Sequence, residues 1–102
     1  LDQERVAAVT IEGVQRIVAE YFDLRLGDMT SKSRPQSIAF PRQMAMYLSR
    51  HLTSSSLPTI GNAFGKNHAT VLHACRLVEK RMKTDASLRQ TVTALKERLL
   101  SR

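Results

Sequence analysis

The feature that most constrains this fold is Gly65, set between two short segments that each carry one apolar side. Before it, Leu57, Ile60 and Phe64 recur at helical spacing after Ser56, a residue able to cap a helix start. After Gly65-Lys66-Asn67, the residues Val71, Ala74, Cys75, Val78 and Met82 fall on one side of a second helix that Asn67 can cap. Two helices joined by so short a turn are the right size for a helix-turn-helix unit over approximately 56–83. Gly61 fits where such helices cross closely, Gly65 supplies a left-handed turn, and Val71 buries a branched side chain against the first helix.

The rest of the chain also reads as helix. Val14, Ile17, Val18, Tyr21 and Phe22 follow Thr10, a cap, and predict an amphipathic helix over 11–22. Leu24 and Leu26 lead to Gly27 and one more turn. Thr30 to Phe40 is expected to be a polar basic loop, with Pro41 in the first turn of a helix whose buried stripe is Met44, Tyr47, Leu48 and Leu52. Asp85 caps a last helix with Leu88, Val92, Leu95 and Leu99 on one face. No alternating strand pattern occurs. The expectation is an all-α fold, a compact bundle of about five to six helices, with residues 1–102 forming one domain.

Charge narrows the choice of partner. Residues 1–30 carry 3 basic and 6 acidic side chains, residues 31–83 carry 9 and 1, and residues 84–102 carry 4 and 2, for a total of +7. Positive charge concentrated in the central half is what a polyanion footprint requires. The second helix of the unit adds detail. Its first residues, Asn67, His68, Ala69 and Thr70, are short or hydrogen-bonding, and Thr70, His73, Arg76 and Lys80 share a polar side. Packing gives no reason for that cluster. A helix that pushes its N-terminal end against base edges in a major groove needs short side chains there. The reading is a double-stranded DNA binder.

Particular words in the sequence now become recognisable. Ser31-Lys32-Ser33-Arg34, Pro41-Arg42-Gln43-Met44-Ala45-Met46, Ser56-Leu57-Pro58 with Ile60-Gly61, and His68 through Cys75 make residues 31–79 resemble the C-terminal DNA-binding domain of the bacterial replication initiators of the DnaA family. The resemblance implies that Arg34 reads an A·T-rich minor groove from the basic loop, which also carries Lys32. It implies that Arg42, Gln43, Arg50 and the backbone around Leu57 hold phosphates. Asn67, His68, Ala69 and Thr70 would meet bases, with Lys66 in the turn before them and His73 beside the backbone. The implied target is the DnaA box, a duplex of about nine base pairs read in two grooves, and the implied process is initiation of chromosome replication at the origin.

Three departures stand out. The family normally has aspartate where Asn67 stands and threonine where Ala69 stands, and the turn before them is one residue shorter. Aspartate only accepts, whereas asparagine donates and accepts, so base preference should differ while docking persists.

Other chemistries are set aside. Gly61-Asn62-Ala63-Phe64-Gly65-Lys66 has three residues between its glycines instead of the four of a phosphate loop, and follows a helix; an ATP-binding module, implied for the parent protein, would lie upstream of Leu1. His68, His73 and Cys75 lack a fourth ligand, and Cys75 falls on the apolar face, so no metal is expected. No catalytic triad or carboxylate pair stands out, so the chain is not read as an enzyme, and no cofactor or small-molecule substrate is expected. One cysteine and no apolar run of about 20 residues suit a reducing cytoplasmic setting. The acidic first segment argues against lipid contact. A chain opening at Leu1 reads as a fragment or a processed protein, whose full-length parent would self-assemble on DNA through other domains. The competing readings are a DnaA-like paralogue or transcription regulator, and a basic protein-interaction domain.

Overall fold

A computed structural model describes residues 9–101. Five α-helices and one 3-10 helix make up the described residues: α1 (Ile11–Tyr21), the 3-10 helix (Leu26–Met29), α2 (Gln36–Leu52), α3 (Leu57–Phe64), α4 (His68–Met82) and α5 (Ala86–Leu100).

Each end has a local cause. Thr10 Oγ1 accepts from the Gly13 N–H at 2.9 Å and starts α1. Asp23, at φ 57°, closes it in a Schellman arrangement, with Leu24 N–H donating to Ala19 O and Asp23 N–H to Glu20 O. Ser56 Oγ, Asn67 Oδ1 and Asp85 Oδ1 accept from Thr59, Thr70 and Leu88 N–H groups, so all three expected caps form.

The basic loop is shorter than expected, and the helix after it starts earlier. Pro35 is the N-cap of α2, its carbonyl accepting from Ile38 and Ala39 N–H groups, which leaves Thr30 to Pro35 as the loop. Pro41 therefore lies inside α2 and not in its first turn. Its missing N–H leaves the Ser37 carbonyl without an i+4 donor. Ser37 is exposed, which leaves that end of the helix open to water, while Pro41 and Ala39 are buried.

α2 is the centre of the molecule. Met44, Ala45, Met46 and Leu48 are all at most 1% exposed, so the helix is apolar around most of its circumference and not on one stripe. It packs chiefly against α4 and α1. One continuous core joins Val14 and Val18 of α1, Met29, α2, Ile60 and Phe64 of α3, Val71, Ala74, Cys75 and Val78 of α4, and Leu88, Val92, Leu95 and Leu99 of α5. Gln15, buried on α1, donates through Nε2 to Ala63 O at 3.1 Å and ties α1 to the end of α3. Cys75 lies in this core, its thiol pushed up from 9.0 by burial, with Glu79 raising it further and Arg50 lowering it. It acts as a small hydrophobe.

Candidate nucleic-acid interface

The turn between α3 and α4 is set by backbone contacts. Gly65 takes φ 67°, and Lys66 N–H donates to Gly61 O at 2.8 Å. Gly61 is needed for a closer reason than helix crossing: a Cβ there would stand 2.5 Å from Lys66 O and 3.2 Å from Asn67 C. The path of the chain into α4 runs directly over Gly61. At the top of α4, Asn67 Oδ1 accepts from Thr70 N–H at 2.8 Å. That bond fixes the amide, because the N–H requires an oxygen, and leaves Nδ2 facing outward as a donor. Asn67, His68, Ala69, Thr70 and His73 are all exposed, as are Arg76 and Lys80 further along. Beneath them Val71 is fully buried, as expected from its place six residues after Gly65.

The basic loop lies against this turn and is built from the inside. Ser31 Oγ donates to Asp28 O at 3.2 Å and accepts from Ser33 N–H at 3.3 Å. Arg42, only 7% exposed, donates through one terminal nitrogen to Asp28 O and Ser31 Oγ, and through the other to Ser33 O at 2.8 Å. Lys66 Nζ donates to Ser31 O at 2.9 Å and approaches Phe64 O at 3.5 Å. Lys32 and Arg34 are left exposed on the outside of the loop.

This changes the expected assignment of Arg42. A phosphate ligand presents its guanidinium to solvent, but this one is turned inward onto three loop acceptors. Burial lowers its pKa, partly offset by Asp28. Lys66 is likewise half-buried, its pKa lowered first by burial and then by Arg42 and Lys32. Both cations support the loop and do not line its outer face. The contacts span 9 to 14 residues for Arg42 and 35 for Lys66, so no local motif announces them.

The remaining candidates fall around the same region. Arg50 is exposed in the last turn of α2. Leu57 opens α3, where its own N–H has no partner within the helix; Pro58 has no N–H, and the Thr59 N–H is held by Ser56 Oγ. Gln43 is partly buried, and its Oε1 has no partner among the described residues. Glu79, the single acid between residues 31 and 83, faces His51 with 3.4 Å between Nε2 and Oε2. Arg81 stacks over the Phe40 ring at 4.1 Å, a cation–π contact that joins α4 to the start of α2. Among the described residues, no three His, Cys, Asp or Glu side chains gather as a metal site.

The bacterial dnaA protein helix-turn-helix family matches residues 11–78. The chain belongs to that family. A solved structure of a DNA replication initiation factor superposes with a TM-score of 0.81 at 32% identity, covering 98% of this chain and 31% of that one. The DnaA-family match takes in α1 and α2 as well as the two-helix unit, so the family's fold includes the helices that hold the loop and turn together. The match takes in nearly all of this chain, which spans under a third of that protein's length.

Proposed function

We propose that this domain reads double-stranded DNA at DnaA-box sites, with the N-terminal end of α4 in the major groove and the Ser31–Arg34 loop in the adjacent minor groove. The observation that carries this reading is that Lys66, the residue immediately before Asn67, donates to Ser31 O at 2.9 Å, which joins the loop and the start of α4 into one edge. Lys32 and Arg34 project from one part of that edge, and Asn67 to Thr70 from the other. Arg50, Gln43, His73 and the first turn of α3 flank it and supply phosphate contacts. The whole chain acts as one binding module, without catalysis and without a cofactor of its own. No described helix is long and apolar enough to cross a membrane, and the module works in the cytoplasm. Within a longer initiator it delivers the parent to the replication origin, where other domains assemble.

The geometry at Asn67 gives the test. With Oδ1 held by Thr70 N–H, the free Nδ2 donates to bases that present acceptors in the major groove. Asn67→Asp keeps an equivalent cap but replaces that donor with an acceptor. In a systematic base-substitution series, the facing position should move toward cytosine N4 or adenine N6 donors by about 1 kcal/mol. The acid also adds roughly 0.3–1 kcal/mol of fold stability at the helix start, so melting is measured beside binding. Identical base profiles for the two proteins would mean that Asn67 is only a cap and reads no base.

A further inference from the structure

We propose that Lys66 and Arg42 are positioning residues, which act on DNA by locking the basic loop to the turn before α4 and not by touching the duplex themselves. The inference rests on the reading above for its effect on DNA, but the lock is a property of the free protein. Four oxygens define it: Asp28 O, Ser31 Oγ and Ser33 O bind Arg42, and Ser31 O binds Lys66. Ser31 is the shared element, gripped through its hydroxyl by one cation and through its carbonyl by the other. Arg42 is buried with both terminal nitrogens on these acceptors, and the half-buried Lys66 ammonium rests on the Ser31 and Phe64 carbonyls.

The arrangement has a reason beyond local stability. Lys32, Arg42 and Lys66 bring like charges together, and Lys66 has its ammonium disfavoured by both neighbours as well as by burial. A loop built only to be stable would not gather three cations around Ser31. A loop that must present Lys32 and Arg34 at a fixed offset from Asn67 gains from cations whose backbone partners cannot be lost by a change of side chain. Ordering such a loop before binding removes an entropy penalty that would otherwise fall on complex formation. Lys66 also couples the two grooves. A shift of the loop is transmitted through Ser31 O to the residue that precedes the α4 cap.

Lys66→Met removes the ammonium and keeps most of the stem. In the free protein, amide exchange at Ser31 to Arg34 should accelerate while exchange in α2 and α4 stays slow. On DNA, Lys66→Met should weaken binding to a DnaA-box duplex by about tenfold in the wild-type background. In an Arg34→Ala background the further loss should be less than about twofold, because the loop no longer has an arginine to place. The logarithmic salt slope should stay unchanged, and Lys66→Arg should recover most of the loss. Additive losses, together with a slope smaller by about one, would make Lys66 a direct phosphate ligand and overturn the proposal. Unaltered amide exchange in the loop would overturn it whatever the DNA measurements give. Should the unsubstituted protein fail to prefer the box duplex, the functional reading fails, and the exchange experiment still decides the lock.

Discussion

Gly61→Ala should destabilise the domain by about 2–3 kcal/mol, more than any other single methyl added at a glycine. The new Cβ would stand 2.5 Å from the Lys66 carbonyl oxygen and 3.2 Å from the Asn67 carbonyl carbon, both backbone atoms that cannot rotate away. Relief requires the entry to α4 to lift off α3. For a domain of this size, that loss lowers the melting temperature by roughly 10–20 °C. Two other glycines calibrate it. Gly65→Ala meets ordinary space, with its nearest contact at 3.7 Å, but must hold φ 67°, a strain of about 1–2 kcal/mol. Gly27→Ala meets nothing within 4 Å and should be close to neutral. Thermal melting should therefore rank the variants Gly27, Gly65, Gly61 in increasing damage. A Gly61→Ala protein that melts with the unsubstituted one would mean that the turn does not run over this residue. DNA affinity should fall with it beyond what unfolding explains, since the lifted segment carries Asn67 and His68.

Binding to duplex DNA should collapse with salt. Roughly six phosphate contacts give a log–log slope near −5, which is about a thousandfold loss of affinity between 50 and 200 mM salt. The arginines then separate by position. Arg50 is exposed, and its replacement by alanine should flatten the slope by about one unit while weakening all duplexes alike. Arg42 is buried with its donors on the loop, so Arg42→Ala should leave the slope nearly intact and lower stability. Its removal takes the guanidinium partner from Ser33 O, whereas Asp28 O and Ser31 Oγ keep their bond to each other, an effect of about 1–3 kcal/mol. Equal slope changes for the two arginines would place both on phosphates.

Helix existence and capping were legible in the sequence because both are local. Thr10, Ser56, Asn67 and Asp85 cap as their side-chain chemistry predicts, and Gly65 takes the left-handed turn. The apolar spacing marks the buried residues of α5 and, except for the partly buried Met82, of α4. α2 was harder, for two reasons. Pro41 suits a first turn, so local chemistry places the start of α2 too late, whereas the helix begins at Gln36. Its central position buries Ala45 and Met46 as well as Met44, Tyr47 and Leu48 of the expected stripe, while Leu52 at its end is only partly buried, so amphipathic spacing understates the middle of the helix. At the interface, the exposure of Asn67, His68 and Thr70 follows from their polarity, but the inward turn of Arg42 does not. An arginine in a basic segment has the same local signature whether it faces phosphate or a carbonyl 14 residues away. Lys66 carries the same ambiguity over 35 residues. All but the Ser31 hydroxyl are backbone oxygens, which every residue has, so residue types mark these acceptors poorly.

The most direct test of the account is a competition titration of the isolated domain at a fixed, near-physiological salt concentration, with a single DnaA-box duplex set against a scrambled duplex of equal length and composition. One protein molecule per site is expected, because one helix end and one loop cover an asymmetric target, and the box should be preferred by a factor of about a thousand or more. Equal affinity for the two duplexes, or a requirement for two sites in palindromic array, would contradict the claim that α4 and the Ser31–Arg34 loop form one sequence-reading edge.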